Sequence, residues 1–300
     1  MPAPDLFFSS TACLTSRDRF LLEWIHDHRV LTTHQVRAAL FGSPTTARMR
    51  LNRLRRAGLI TRFRWHPGTG GSQPWHYTID DAGAALIAAE RELVLASGNA
   101  LRVRRAVLAA SPQLAHRVGA NEFFVQLYAY SRTHRGQLVA WLNPEQTHEQ
   151  YPPYNARLRC DGHGAWREDG RTVGFYLEYD TGTESQSVLL DKIEAYEQTT
   201  ATGHLPPHPV LFWLPSTQRE KNLWTAIANT RTRAPRIPIA TAARDTSTGG
   251  QPASAIWALA NAPGRRRRLA ELPVAEPLPT PTLAHPRELL DVSILDKTAG

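Results

Sequence analysis

The chain has 300 residues, enough for one large domain or two of ordinary size, and its composition is that of a globular protein. Its formal net charge of +8 and its pI of about 9.9 predict a polyanionic partner. The two cysteines, Cys13 and Cys160, lack the spacing of a zinc finger or a disulfide framework. No apolar run approaches the roughly 18 residues of a membrane helix, and no secretory leader is recognisable. We therefore expect a cytoplasmic protein with no membrane partner.

The first part of the chain is predicted to form three helices, a strand, a glycine-rich loop and a returning strand. Threonine or serine precedes the helices as a cap, and apolar residues recur at helical spacing within them. This order is typical of a winged helix-turn-helix DNA-binding domain, which we assign to residues 1–79. The helices and strands are predicted over residues 15–28, 31–41, 45–58, 59–65 and 75–79.

The third helix, "TTARMRLNRLRRAG", is rich in arginine. Its apolar residues share one face, so its basic face is free to enter the major groove, where arginine and asparagine read base edges and bind phosphates. A solvated basic face on a domain that binds protein is the alternative interpretation. The predicted DNA contacts are Thr45, Arg48, Arg50, Asn52, Arg53, Arg55 and Arg56 on this helix, with Arg62 and Arg64 on the wing.

A helical linker is predicted over residues 80–111, followed by a second domain over residues 112–262. The second domain reads as helix, strand, strand, strand, helix, strand. Beyond it, residues 263–300 are rich in arginine and proline, which predicts a disordered tail. The arginine run "RRRR" in this tail would either remain solvated or touch nucleic acid nonspecifically.

The segment "VGFYLEYDTG" reads as a strand whose alternation places Glu178 and Asp180 on one face. Two adjacent anions repel each other, and burial makes both costly, so a cationic partner is expected beside them. The preceding strand, "RLRCDG", ends on Asp161, which can lie beside Glu178 if the strands pair. Lys192 falls among Leu189, Ile193 and Tyr196 on the sheet-facing side of the next helix, so it can reach back to the same place. Glu122 on the earlier helix is an unexpected carboxylate among apolar residues.

This constellation is suited to metal-assisted phosphodiester hydrolysis. Carboxylate oxygens are ligands that Mg²⁺ or Mn²⁺ prefers, and a lysine stabilises the charge that develops on phosphate. The predicted catalytic residues are Glu122, Asp161, Glu178, Asp180 and Lys192, with Asp161 and Glu178 as metal ligands. Each also has a structural interpretation: Asp161 as a turn residue, the other carboxylates in salt bridges with arginines, and Lys192 as a surface lysine with a buried stem.

These segments resemble the replication-relaxation family of actinobacterial plasmids and integrative elements, over roughly residues 14–275. The resemblance rests on "LTSRDRFLLEWIHDHRVLTTHQVRAALF", "ARMRLNRLRRAGLI", "HRVGANEFF", "RCDGHGAW" and, most specifically, "FYLEYDTGTE". It implies an α+β/α/β architecture, in which a winged helix-turn-helix precedes a PD-(D/E)XK nuclease-like α/β domain with a central mixed sheet. The predicted order of helices and strands agrees with that fold.

Carried over to this sequence, the nuclease motif matches Asp161 as its first acid and Glu178 as its second. Two positions depart from the pattern: Cys160 stands where proline is expected, and Asp180 stands where the lysine is expected. Some members of the broad fold class take the lysine from the following helix, and Lys192 is the candidate here.

Two functions follow from these expectations. The first is a DNA-binding protein of a plasmid or mobile element, involved in replication or relaxation, with a metal-dependent nicking or cleaving nuclease. The second is a non-catalytic DNA-binding regulator or accessory factor with a degenerate nuclease-like domain. The expected partners are double-stranded DNA, replication or transfer proteins of the same element, and a second copy of the chain as a homodimer. A repressor with a ligand-sensing second domain ranks below both, because no apolar ligand pocket is evident in the pattern.

Overall fold

A computed structural model describes residues 14–65, 73–151, 158–230, 235–245 and 250–274 of the chain. These residues form a mixed α+β structure with nine α-helices and two sheets. They divide into two compact units that part between Val125 and Gln126. None of the helices in these ranges is long and apolar enough to cross a bilayer.

The first unit contains the predicted three helices, strand and returning strand. A short strand that was not predicted, β1, pairs with β3, so the sheet is three-stranded and antiparallel in the order β1–β3–β2. The elements are α1 (Ser16–His28), β1 (Leu31–Thr32), α2 (Thr33–Leu40), α3 (Pro44–Arg56), β2 (Ile60–Arg64), β3 (Trp75–Ile79), α4 (Asp81–Glu90), α5 (Gly98–Ala110) and α6 (Leu114–Ser131), the last of which continues into the second unit.

Capping residues fix where the first helices begin. Thr15 and Asp18 form a reciprocal capping box at the start of α1, and Thr32 and Gln35 do the same at the start of α2. In α3 the buried residues are the predicted apolar face of Ala47, Leu51 and Leu54. The chain leaves this helix through Gly58, whose φ of 69° is a conformation that glycine adopts without strain.

The segment predicted as a helical linker forms two helices, α4 and α5, separated by residues 91–97. Only Leu101 is buried in α5. The first part of α6 packs within the first unit, because the Asn121 side chain donates a hydrogen bond to the Val30 carbonyl at 2.8 Å and Gln35 donates one to the Val118 carbonyl at 2.8 Å. The division between the compact units therefore falls inside a helix, whereas the predicted second domain begins at residue 112.

The second unit is built on a seven-stranded sheet in the order β10–β9–β8–β7–β6–β5–β4, which confirms the predicted mixed sheet. Strands β6, β7 and β8 are parallel and the other neighbours are antiparallel. The elements are β4 (Gln137–Leu142), α7 (Pro144–Gln150), β5 (Gly162–Glu168), β6 (Arg171–Tyr179), α8 (Gln186–Ala201), β7 (Val210–Leu214), α9 (Thr217–Thr230), β8 (Ile239–Ala243), β9 (Trp257–Leu259) and β10 (Ala262–Arg267), followed by a 3₁₀ turn at Leu269–Glu271.

The prediction that a strand ends on Asp161 is wrong. Strand β5 begins one residue later, at Gly162, and the tight turn that follows it is made by Asp169 and Gly170, both with positive φ. Since β5 is antiparallel to β6, the start of β5 lies beside the end of β6, where Gly162 pairs with Leu177. Asp161 therefore still reaches the predicted end of the sheet.

The prediction of a disordered tail is wrong for its first residues. Residues 262–271 form β10 and the 3₁₀ turn, and Arg266 makes two hydrogen bonds of 2.7 Å to the carboxylate of Glu220, which is fully buried. A buried carboxylate needs a cationic partner, so Arg266 is part of the folded structure rather than of a solvated tail. The rest of the predicted tail, residues 275–300, lies outside the described residues.

Helix α8 packs on the sheet through the apolar face predicted for it. Leu189, Ile193 and Tyr196 are buried in one cluster with Tyr176 of β6 and Phe212 of β7. This packing fixes the rotation of α8 about its axis. It therefore decides which of its polar residues meet the end of β6.

Candidate functional site

Glu178 lies near the end of β6 and is almost fully buried, with 2% of its surface exposed. One carboxylate oxygen, Oε1, accepts a hydrogen bond of 2.7 Å from the hydroxyl of Tyr196. The other, Oε2, lies 3.0 Å from Nζ of Lys192. The contact is a buried ion pair between the carboxylate and the ammonium.

Burial and neighbouring charges shift the pKa values of this pair. Burial, together with the nearby Asp161 carboxylate, raises the pKa of Glu178 to about 7 against the opposing attraction of Lys192. Burial also disfavours the Lys192 ammonium, but the carboxylates of Glu178 and Asp161 outweigh it and raise the lysine pKa. The lysine is therefore held as a cation at neutral pH.

Asp161 is fixed at the start of β5 by the backbone of β6. Its Oδ2 accepts a hydrogen bond of 2.7 Å from the Tyr179 amide, and its own amide donates one of 2.9 Å to the Leu177 carbonyl. Its carboxylate is close enough to act on the pKa values of both Glu178 and Lys192. Asp161, Glu178 and Lys192 are thus brought together, as the sequence predicted.

Asp180 has a different contact from the one that strand alternation predicted. Its Oδ2 accepts a hydrogen bond of 2.7 Å from Arg219 of α9, and its Oδ1 accepts one of 2.8 Å from the Gly182 amide. Strand β6 ends at Tyr179, so alternation no longer dictates the direction of the next side chain. The buried Asp180 carboxylate therefore joins the end of β6 to α9, in agreement with the alternative interpretation of this acid as the partner of an arginine.

Glu122 lies on α6 within the first unit and is half-buried. The other four predicted catalytic residues belong to the second unit. The role of Glu122 stays a prediction.

Two residues of the cluster, Glu184 and Arg219, were not predicted. Tyr196 was predicted on the same face of the helix as Lys192, which it follows by four residues, but its contact with Glu178 was not. Glu184 accepts a hydrogen bond of 3.0 Å from the Lys192 ammonium, and its backbone carbonyl accepts one of 2.6 Å from Arg219. Local spacing in the sequence predicts neither of these contacts of Glu184, and Arg219 lies on a later helix.

The donor set at this site fits a cation that keeps part of its water shell. Across the part of the chain that the structure describes, no three His, Cys, Asp or Glu side chains are grouped so as to hold a metal ion. Asp161 and Glu178 remain as a pair of carboxylates at the same end of the sheet. Mg²⁺ is commonly bound by one or two carboxylates together with water and substrate phosphate, which is what such a pair can offer.

The helix α3 presents most of its predicted DNA contacts to solvent. Asn52 is half-buried, and Arg50 is committed elsewhere: its Nε donates a hydrogen bond of 2.5 Å to the buried carboxylate of Asp18 in α1, with a second from its guanidinium. The prediction of Arg50 as a phosphate contact is therefore replaced by a contact that joins two helices. The exposed residues are Thr45, Arg48, Arg53, Arg55 and Arg56.

The hairpin of β2 and β3 carries two arginines stacked on one tryptophan. The guanidinium carbons of Arg62 and Arg64 lie 4.0 Å and 4.3 Å from the centre of the Trp75 ring. Cation–π contacts of this kind restrict the side chains while leaving their N–H groups free to donate. The loop of the predicted wing, residues 66–72, lies outside the described residues.

Fold and sites together define an α+β protein with a basic helix in one unit and a carboxylate–lysine cluster at the end of a parallel strand in the other. The sequence profile described as replication-relaxation matches residues 22–211, which is more than half of the chain. The chain belongs to the replication-relaxation family. Membership suggests a role in the replication or relaxation of mobile elements. No curated protein and no solved structure matches the chain.

Proposed function

We propose that this protein binds double-stranded DNA through its first unit and nicks or cleaves DNA at the Asp161–Glu178–Lys192 cluster with the help of Mg²⁺ or Mn²⁺. One observation carries the proposal. The ammonium of Lys192 on α8 lies 3.0 Å from the buried Glu178 carboxylate, and the Asp161 carboxylate is close enough to act on both. Two carboxylates and a lysine at one end of a sheet are the groups that metal-assisted phosphodiester hydrolysis requires.

The topology of the second unit supports a nuclease-like fold. Apart from the short helix α7 between β4 and β5, a helix, the antiparallel strands β4, β5 and β6, helix α8 and the parallel strand β7 follow one another in the order expected for the PD-(D/E)XK fold. The first acid of the motif would be Asp161 and the second Glu178. The cation would come from Lys192 in the following helix, since Asp180 occupies the usual lysine position and is paired with Arg219.

The cluster offers each residue a distinct part in phosphodiester hydrolysis. Asp161 and Glu178 would hold a divalent ion, which when bound supplies Lewis-acid activation of the phosphate and an acidified water. Tyr196 fixes Oε1 of Glu178, so Oε2 is the oxygen left to face the ion. Lys192 would donate to a phosphate oxygen and stabilise the negative charge that develops there during attack.

The first unit would bind the DNA duplex. The layout of three helices and a hairpin agrees with a winged helix-turn-helix, and the exposed arginines of α3 match the requirements of groove binding. Arg48 and Arg55 are suited to base edges, while Arg53 and Arg56 are suited to phosphates. On the hairpin, Trp75 would hold Arg62 and Arg64 ready for the backbone.

A plasmid-nicking experiment tests the catalytic part. Supercoiled DNA is incubated with the wild-type protein or Glu178→Ala in Mg²⁺ or Mn²⁺, with Glu194→Gln as the matched control because Glu194 is an exposed acid of the same helix as Lys192. We expect the wild type and the control to convert supercoiled DNA to open circles or linear DNA, and Glu178→Ala to lose at least about a hundredfold in rate. Equal rates for the wild type and Glu178→Ala would remove Glu178 from the chemistry.

The second candidate function is a non-catalytic DNA-binding regulator or accessory factor. It is favoured by one feature of the cluster: Lys192 already contacts two carboxylates, Glu178 and Glu184, so its charge is balanced without a substrate. In that case the protein would bind duplex DNA tightly but would not cut it, whichever metal ion or form of DNA is supplied. Replication or transfer proteins of the same element, or a second copy of the chain, would then be the partners that the second unit serves.

A further inference from the structure

Arg244 follows the parallel strand β8 directly, and its side chain crosses the end of the sheet towards β6. Its amide donates a hydrogen bond of 2.9 Å to the Leu214 carbonyl at the end of β7. Its guanidinium donates to the carbonyl of Trp213 in β7 and, at 2.6 Å, to the carbonyl of Asp180 just after β6. Arg244 therefore lies at the ends of all three parallel strands, which is the end of the sheet where Glu178 lies.

Two aromatic rings hold the Arg244 guanidinium in place. Its carbon Cζ lies 4.1 Å from the centre of the Tyr179 ring and 5.6 Å from the centre of the Trp213 ring. Stacking of this kind restricts a long side chain while the edge of the guanidinium can still donate hydrogen bonds. Tyr179 is also the residue whose amide donates to the Asp161 carboxylate. The arginine and one acid of the proposed metal pair are thus fixed by the same residue.

The charge of Arg244 is not balanced by an ion pair with any residue that the structure describes. Its acceptors are neutral carbonyls, and the Asp180 carboxylate, which attracts it without touching it, accepts hydrogen bonds from Arg219 and the Gly182 amide instead. Burial disfavours the cationic form of Arg244 and lowers its pKa. Four other partly buried arginines each pair with a carboxylate: Arg50, Arg91, Arg219 and Arg266. A desolvated cation that lacks such a partner is a favourable place for an anion.

We propose that Arg244 binds a backbone phosphate of DNA at this end of the sheet. A guanidinium has five N–H donors, and the two carbonyls take two of them, so donors remain for phosphate oxygens. Ligands of open α/β sheets bind at the carboxyl ends of the parallel strands, which is where Arg244 lies. The proposal rests on the proposed function, because DNA is taken as the ligand, but it needs neither a metal ion nor cleavage.

The affinity of the full chain for duplex DNA without divalent metal, measured by fluorescence anisotropy over a range of salt concentrations, tests this contact. We expect Arg244→Gln to weaken binding and to lower the slope of log affinity against log salt by about 1, because one phosphate contact is lost. Arg244→Lys keeps the charge and should keep the wild-type slope. Arg167→Gln, at an exposed arginine near the other end of the sheet, is the matched control and should also keep that slope.

Two results would overturn the proposal. One is an equal slope for the wild type and Arg244→Gln. The other is a slope that Arg244→Lys lowers as much as Arg244→Gln does, because the effect would then come from the lost stacking and carbonyl contacts and not from the charge.

A measurement on the wild type covers the case in which Arg244→Gln does not fold. Duplex DNA should protect Arg244, but not Arg167, from modification by phenylglyoxal, which mass spectrometry detects. Equal modification of Arg244 with and without DNA would contradict the proposal.

The same experiments separate this contact from the proposed nuclease. If the wild type never nicks DNA but Arg244→Gln lowers the salt slope, the metal chemistry fails and the phosphate contact stands. If the wild type nicks DNA and Arg244→Gln leaves the slope unchanged, the nuclease stands and the phosphate contact fails.

Discussion

The charged residues of the two units lie in different surroundings: the arginines of α3 are exposed to solvent, and the carboxylates of the second unit are buried. Arg48 and Arg55 lie in solvent on α3, whereas Glu178, Asp180 and Glu220 are buried and each has a cationic neighbour. An exposed charge contributes little to stability, but a buried one that loses its partner destabilises the fold strongly. The arginines of α3 are therefore available to a partner, whereas the buried acids stabilise the fold, and among these Glu178 is contacted by both Lys192 and Tyr196.

The largest expected effect is on the pair of Arg266 and Glu220. Arg266→Ala would leave the Glu220 carboxylate buried without a cation, and we expect the free energy of unfolding to fall by about 3–5 kcal/mol. Urea denaturation measures this change. Arg265→Ala, one residue earlier and exposed, serves as the control and should change stability by no more than about 0.5 kcal/mol. Equal stability of the two variants would contradict this role of Arg266 and would agree with the solvated arginine run that the sequence predicted.

The next effect is a pH dependence that isolates Glu178. Since burial raises its pKa in the folded state to about 7, above its ordinary value of 4.5, the folded state holds the proton more tightly and loses stability as pH rises through that interval. Glu178→Gln removes the titration, so the variant should gain about 3 kcal/mol relative to the wild type between pH 4.5 and pH 8. Urea denaturation at both pH values measures the difference, and parallel pH profiles would contradict it.

A smaller effect separates two arginines of the same helix. Arg50→Ala should lower the free energy of unfolding by about 2 kcal/mol, because Asp18 loses hydrogen bonds from a charged donor, and should leave duplex affinity unchanged. Arg53→Ala, on the exposed side, should weaken duplex binding with little change in stability. Denaturation and fluorescence anisotropy on the same proteins provide the two readouts. If Arg50→Ala weakened duplex binding more than Arg53→Ala, the DNA would not be bound by the exposed face of α3.

The smallest expected effect on folding comes from Arg48→Ala combined with Arg55→Ala. Both side chains are exposed, so stability should change by no more than about 0.5 kcal/mol. Duplex binding, measured by fluorescence anisotropy at low and moderate salt, should nevertheless weaken, because two contacts to base edges are lost. An unchanged affinity at low and moderate salt would contradict the assignment of α3 to the groove.

The sequence was enough to predict contacts that follow from local periodicity. The buried face of α3, the packing of α8 on the sheet and the meeting of Glu178 with Lys192 all derive from helical or strand spacing. Helix α7 carried a readable signal as well, because Asn143 and Gln146 form a capping box at its start, but it was not predicted.

Contacts between residues far apart in the chain could not be read in this way. Asp180 meets Arg219, Asp18 meets Arg50 and Glu220 meets Arg266, and in each case the partner is chosen by the packing of different elements. The short strand β8, "IATAA", and the arginine-rich β10 also lack the alternation of a typical strand. Their place in the sheet depends on pairing with neighbours that only the assembled fold supplies.

Lys192→Met tests whether Asp161, Glu178 and Lys192 act together on DNA with a divalent ion. Nicking of supercoiled plasmid in Mg²⁺ would be compared between this variant and the wild type at equal fractions of bound DNA. We expect Lys192→Met to keep its duplex affinity and its capacity to bind Mn²⁺ but to lose at least about a hundredfold in nicking rate. Nicking at the wild-type rate by Lys192→Met would contradict it.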